Sequence, residues 1–458
     1  MMFGLVFYKT KQPKHGLFVI LIILLRVSSN IMKNTFFWFR RDLRLEDNTA
    51  LSLACKSGHK VIPVFIFDTN ILNELEKDDA RVSFIYKSLH KINEELKKSG
   101  SSLLIKKGEP TEVWKQLSNE YHIDTVYANR DYEPYAIGRD EKVNDILDQK
   151  GIGFKLFKDQ VIFEMNEVLK DDGNPYTVFT PYKKKWLSSI ETDAIAMQKE
   201  LPVSCFHKQN FKFPTLENIG FIESEVKVLD YNLDVADNYA NTRDIPALDQ
   251  TSHLSPHLRF GTVSIRKIIS KLKKKHEVFL SELIWREFFM QILYHFPHVV
   301  SLSFNPKYDN IKWRNNEQEF QKWCNGKTGY PMVDAGMRQL NQTGYMHNRV
   351  RMVTASFLCK HLLIDWRWGE AYFAQKLLDY ELSSNNGNWQ WAAGTGCDAA
   401  PYFRVFNPSI QLKKFDPDLK YVKKWVPELE SINYPEPMVN HAHARDRALK
   451  TYKEGIKS

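Results

Sequence analysis

Cysteine is scarce and scattered in this chain. The five that occur, Cys55, Cys205, Cys324, Cys359 and Cys397, lie far apart and include no Cys-x-x-Cys pair. That argues against a zinc knuckle and a disulfide frame, and for a reducing, cytoplasmic setting. Metal-ligand spacing is missing too. His441 and His443 have no third ligand of recognisable spacing nearby and read as surface histidines, so no metal is expected. The apolar run from Leu17 to Leu25 is nine residues long, far short of the ~20 that cross a bilayer. A basic stretch precedes it as in a signal peptide, but no clean small-x-small cleavage site follows. Met32 is the expected start, residues 1–31 an extension or disordered leader, and no membrane partner is expected. No G-x-G-x-x-G follows the first strand, no G-x-x-x-x-G-K-[ST] occurs, and no hydrolytic triad is visible.

What is present suits a soluble protein of two or three domains. The chain has 458 residues, 43% of them hydrophobic, and a net charge of +9. That balance fits a polyanionic partner, although it is also common in proteins that touch no nucleic acid.

From Thr35 the text alternates. Short apolar runs at Thr35–Phe39, Val61–Phe67, Ser102–Ile105, Asp124–Ala128 and Gly153–Phe157 are separated by helical spacing, as in Ala80–Lys98 and Thr111–Tyr121. This predicts an α/β amino-terminal domain over 32–160, a doubly wound, Rossmann-like parallel sheet with room for a ligand at the strands' carboxyl ends. Residues 161–230 read as a long connector. Its Lys183, Lys184 and Lys185 sit between aromatics, as a solvated face or a phosphate rest. From about Tyr231 to Ser458 strand signals vanish. Segments such as Phe279–His295, Arg349–Leu363 and Glu370–Leu382 carry apolar residues at i, i+3 and i+4, predicting an all-helical second domain. That domain holds eight of the eleven tryptophans.

Four stretches in it invite chemistry. Tyr239 and the run Thr251-Ser252-His253-Leu254-Ser255 offer hydroxyls at a helix start, where a diphosphate would sit if they do not simply cap it. Glu282, Trp285 and Arg286 fall on one helix face, either as a site or as a salt-bridged surface. Asn348, Arg349, Arg351 and Met352 put phosphate donors beside a soft apolar contact, and Arg351 is expected to pair with Asp379 if their helices adjoin. Trp389 and Trp391 stand two apart, so on a helix one faces inward and the other a cleft.

Together ELIWRE (282–287), GKTGYPMVDAGMRQL (326–340), MHNRVRM (346–352), LLIDWRWGE (362–370), NNGNWQWA (385–392), DAAPYFRVFNP (398–408) and FWFRRDLRLEDN (37–48) resemble the photolyase and cryptochrome family. The resemblance runs from Lys33 to about Leu449 and is strongest to class I cyclobutane pyrimidine dimer photolyases. It implies an FAD-binding helical domain. Tyr239, Thr251, Ser252, Leu254 and Ser255 would hold the FAD phosphates, and Asp379, Tyr380 and Glu381 would line its ribose and flavin side. Arg351 would pair with Asp379 against the ring, and Asn385 would face flavin N5. The activity implied is light-driven repair: reduced FAD passes an electron to a pyrimidine dimer flipped out of DNA. Trp285 and Trp391 would flank the dimer, Glu282 would hydrogen-bond it and Met352 would fill its apolar side. Trp389, Trp366 and Trp313 match the family's electron-transfer chain. Arg243, Asn348, Arg349, Arg404, Lys183 and Lys184 fall where the family meets DNA phosphates. The implied state is a monomer without an obligate protein partner.

Three departures bear on the expectation. Asn348 follows His347 where six-four photolyases and animal cryptochromes carry a histidine pair. Tyr345 replaces the usual Trp. Tyr135-Ala136 stand where pterin-binding members place Asn-Glu, leaving methenyltetrahydrofolate, a deazaflavin or no antenna open. The alternative reading is a cryptochrome-type blue-light flavoprotein that signals instead of repairing.

Overall fold

The computed structural model describes residues 33–190, 195–198 and 203–457. The expected leader and the start at Met32 lie outside the described residues. The amino-terminal part alternates β1 (Asn34–Phe39), α1 (Thr49–Cys55), β2 (Lys60–Asp68), α2 (Ala80–Lys97), β3 (Leu104–Gly108), α3 (Pro110–Glu120), β4 (Ile123–Asn129), α4 (Pro134–Asp148) and β5 (Gly153–Phe157). All four strand pairings are parallel, in the order β3-β2-β1-β4-β5. Chain order reverses between β1 and β4, the switch point of a doubly wound sheet. β1 reads as a continuous aromatic run because helices cover both of its faces; Phe36, Phe37 and Phe39 are fully buried. Helix α1 starts at Asn48, whose side chain accepts from the Leu51 amide at 3.2 Å.

The connector carries α5 (Phe179–Ser189). The rest is helical: α6 (Leu254–Arg259), α7 (Ile265–Lys271), α8 (Glu277–His295), α9 (Glu317–Cys324), α10 (Pro331–Thr343), α11 (Asn348–Ser356), α12 (Trp366–Lys376), α13 (Leu382–Ala393), α14 (Pro408–Phe415), α15 (Lys420–Trp425) and α16 (His441–Lys457), with short turns between. Among the described residues no helix is long and apolar enough to cross a membrane.

Four expectations need correction. The helix expected over Glu370–Leu382 is two helices: α12 ends at Lys376, the chain is extended at Leu377 and Glu381, and α13 begins at Leu382. Leu377 and Leu378 are buried within the break, so the apolar period continues where the hydrogen-bond ladder does not. The helix expected over Arg349–Leu363 changes to π-type winding from Phe357 to Leu362. Cys55 and Cys205 form a disulfide across 150 residues. Pairing of Phe206 with Val61 of β2 sets Cys205 beside Cys55, their Cα atoms 5.1 Å apart, a contact that spacing cannot reveal. His441 is half-buried, its Nδ1 2.9 Å from Nε2 of buried His361.

Candidate functional site

A cavity of ≈ 360 Å³ opens in the helical part, walled by the start of α6, one face of α8, the start of α11, the break before α13, and α13 itself. Its volume lies in the range of cofactor sites.

The α6 wall presents Thr251, Ser252, His253, Leu254 and Ser255, with Tyr239 nearby. His253 takes a left-handed conformation at the helix start and its side chain caps nothing. Ser252 accepts from the Leu254 amide at 3.3 Å, and the Ser255 hydroxyl donates to Asp379 at 2.7 Å. The hydroxyls therefore shape the wall instead of closing a capping box.

The break between α12 and α13 delivers Asp379, Tyr380 and Glu381 to the cavity. Arg351 donates to both Asp379 oxygens, at 3.2 and 3.0 Å, and is steadied by the Met346 carbonyl at 2.8 Å. Glu381 is buried and meets Arg286 at 3.3 Å and the Arg41 guanidinium. Burial opposes its charge, but Arg286, Arg41 and Arg259 outweigh burial and hold the carboxyl below its ordinary range.

On α13, Asn385 donates to the Glu370 carbonyl at 3.0 Å and to its carboxylate at 2.7 Å, which fixes the amide at the cavity wall. Trp389 and Trp391 both reach the cavity but differ in depth. Trp389 is buried, its ring 4.9 Å from Phe373 and 6.1 Å from Trp323. Trp391 is half-buried. The Trp389 ring packs close against α12 because position 369 is glycine: a Cβ there would stand 2.1 Å from the indole. Trp366 is three residues from Gly369 on α12 and fully buried, and half-buried Trp313 packs against the same core.

Glu282, Asn348 and Met352 also line the cavity. Glu282 pairs with Arg243 at 2.6 Å; burial raises its pKa and Arg243 opposes the rise. Trp285 stands off the lining, its ring stacked at 3.6 Å on Phe179 of α5. Arg349 is turned to Asp244 at 2.7 Å and lies over Phe415. Arg404 and Lys184 are exposed, and Lys183 meets Glu277 at 3.1 Å. Residue reading did not single out Arg259, whose guanidinium donates to the Tyr380 carbonyl at 2.6 Å, or Arg41. Both come from segments distant in sequence, and the only signal was Arg41's place in the FRRDLR run.

The donor set fits FAD: hydroxyls for phosphates, and an arginine–aspartate pair, an amide and aromatics for a flat polar-edged ring. The fold and cavity together define a flavoprotein with an α/β part and a helical cofactor part. Residues 35–203 match the DNA photolyase family and residues 279–433 the FAD binding domain of DNA photolyase. A deoxyribodipyrimidine photo-lyase from Vibrio cholerae is 36% identical over 91% of this chain and 98% of its own. A bacterial class III photolyase from Agrobacterium tumefaciens superposes with a TM-score of 0.84 at 35% identity, covering 93% of this chain and 98% of that one. An archaeal photolyase from Sulfolobus tokodaii, solved with two FAD molecules, gives 0.79 at 39% identity, covering 92% and 100%. A Synechocystis cryptochrome gives 0.78 at 27% identity, covering 92% and 99%. The chain belongs to the DNA photolyase family, and its cofactor is FAD.

Proposed function

We propose that the protein is a deoxyribodipyrimidine photo-lyase that splits cyclobutane pyrimidine dimers in DNA under light. The observation that carries this reading is one cavity that brings two sets of residues together. Asp379, Arg351 and Asn385 are those the resemblance gives to the flavin, and Glu282, Asn348, Met352 and Trp391 those it gives to the lesion, and all of them line it. Bound in reduced form and excited by blue or near-ultraviolet light, FAD supplies the electron that opens the cyclobutane ring.

The chain's own residues do the rest. Thr251, Ser252 and Ser255 hold phosphates, and Arg351 and Asp379 fix the ring's polar edge. Trp391 offers an indole face to the flipped lesion, and Glu282 a hydrogen bond that its burial strengthens. Trp285 contributes from behind, held by Phe179. Arg243, Arg349, Arg404, Lys183 and Lys184 take phosphates and set affinity but not sequence choice. Trp389 at the cavity, buried Trp366 and half-buried Trp313 would be the route by which electrons reach the bound flavin. The partner is DNA carrying pyrimidine dimers, the setting the cytoplasm, and the working unit one chain.

The test is to irradiate the purified protein with blue light, reductant and dimer-bearing oligonucleotide, and to follow the return of base absorbance. Repair is expected, slowed in Glu282→Ala with flavin retained. Trp391→Ala is expected to weaken binding to damaged DNA more than to undamaged DNA. A yellow protein that leaves dimers intact would favour the cryptochrome reading, which its structural neighbour keeps in play.

A further inference from the structure

The loop that leaves β1 at the switch point does more than close the sheet. Its backbone presses on the helical part at Gly261, which has φ +64° and where a Cβ would stand 2.1 Å from the Arg41 carbonyl oxygen. Leu43 donates to the Phe260 carbonyl at 3.0 Å. The Arg41 side chain, 12% exposed, then spans both parts of the molecule. It meets Asp131 at 3.1 Å and Glu133 at 3.0 Å beyond β4, donates to the Arg259 carbonyl at 3.3 Å, and reaches Glu381 on the cavity wall. Arg259 closes the circuit, 3.5 Å from Glu133 and bonded to the carbonyl of Tyr380.

We propose that Arg41 is a positioning residue of the flavin site supplied by the α/β part, so that docking of that part and retention of the flavin are one linked equilibrium. This rests on the reading of the cavity as the flavin site. The segment Asp379–Glu381 lies in the break between α12 and α13, where its backbone is held by little more than a turn from the Tyr380 amide to the Leu377 carbonyl at 3.4 Å and the first bond of α13, from the Asn385 amide to the Glu381 carbonyl at 2.8 Å. Its shape is set from outside, by Arg351 on Asp379, Arg259 on the Tyr380 carbonyl, and Arg286 with Arg41 on Glu381. Of these four only Arg41 belongs to the α/β part. Three guanidiniums, Arg41, Arg259 and Arg286, balance three carboxylates, Asp131, Glu133 and Glu381. Removing Arg41 takes one positive charge from a dry cluster beside the cavity and frees the floor to move. Burial opposes the Arg41 charge, but Asp131, Glu133 and Glu381 more than outweigh it, so the guanidinium stays charged.

The test uses the full-length flavoprotein as wild type, Arg41→Met, Arg41→Lys and Lys267→Met. The last removes an exposed contact between the two parts, Lys267 to Glu46 at 2.6 Å, that touches no cavity residue. Flavin release is followed by fluorescence, and the flavin midpoint potential by spectroelectrochemical titration. Arg41→Met is expected to release flavin at least about tenfold faster, the size usual for coupling between linked sites. Its midpoint potential should move to more negative values. Arg41→Lys keeps the charge without the fork, so it restores the potential and only part of the retention. Lys267→Met behaves as wild type. Wild-type release and potential in Arg41→Met would overturn the proposal, and so would equal losses in Lys267→Met. A wild-type protein without flavin would instead overturn the reading of the cavity.

Discussion

The crevice at the carboxyl ends of β1 and β4 and the cavity of the helical part are both lined by arginines and carboxylates, yet the first is closed to ≈ 10 Å³ and the second holds ≈ 360 Å³. In the crevice the charges are paired with one another or with residues packed around it: Arg41 with Asp131, Glu133 and Glu381, Arg130 with Glu164, and Asp159 with Arg44 and Arg266. Arg40 pairs with Asp140 at 2.5 Å and donates to the Asn129 carbonyl, while Asp42 takes the Arg40 amide at 2.7 Å and the Asn129 amide at 2.5 Å. In the cavity the ion pairs sit on the walls, Arg351 with Asp379 and Arg243 with Glu282, and hydroxyls and aromatics are left to face inward. The switch point of an open sheet is the usual ligand crevice. Here its charges fill it and join the two parts of the chain, and the roomy site arises where a helix breaks.

Asparagine at the acidic member of one pair in each place should separate the two roles. Asp140→Asn leaves Arg40 without its carboxylate where both side chains are nearly buried, 6% and 5% exposed. Breaking such a pair costs about 3–5 kcal/mol. Denaturant unfolding of the apoprotein should show that loss, while the folded fraction keeps its flavin. Asp379→Asn should do the reverse. Its partner Arg351 is 27% exposed, so the stability cost should be at most about 1 kcal/mol, with the effect appearing as lost flavin. If Asp379→Asn unfolds the protein and Asp140→Asn does not, the contrast between a joint and a site fails.

A smaller effect is expected at Glu287, which ties the connector to α8. Its carboxylate accepts from the amides of Ile162 at 2.7 Å and Phe163 at 3.1 Å, and from the Trp186 indole at 2.7 Å. In Glu287→Gln an amide donor faces one of those N–H groups, a loss of about 1–3 kcal/mol. Burial pushes the Glu287 pKa from 4.5 up to about 7, against the three hydrogen bonds. The folded protein therefore binds more protons than the unfolded chain between those values. The associated stability is complete below pH 4.5 and declines as pH rises through 7. Unfolding midpoints across that window should show the decline in wild type and lack it in Glu287→Gln.

How far the sequence went differs between the same two regions. The sheet was legible strand by strand, because parallel strands covered on both faces read as apolar runs and Gly153–Phe157 was placed to the residue. The cavity was legible as residue types, and Arg351 does pair with Asp379. Its backbone was not. Buried Leu377 and Leu378 continued a helical period through the break that makes the cavity floor. The contributions of Arg41 and Arg259, and the stacking of Trp285 on Phe179, depend on contacts between segments 90 or more residues apart, which no local pattern encodes. The disulfide was missed for the same reason.

The smallest effect belongs at the cavity rim, where Tyr345 replaces the family's usual Trp. Its hydroxyl accepts from the Leu229 amide at 3.3 Å, and the Leu229 carbonyl lies 2.9 Å from Nε2 of His257, so the end of the connector is held from both sides. Tyr345→Phe removes one of those holds. Leu229 is 49% exposed, so water replaces the lost acceptor and the cost should stay near or below about 1 kcal/mol. Hydrogen exchange should nonetheless quicken at the Leu229 amide, while the Arg351–Asp379 pair and flavin content stay as in wild type. Loss of flavin in Tyr345→Phe would mean that the connector, and not only the helices, shapes the cavity, and the line drawn here between joint and site would have to move.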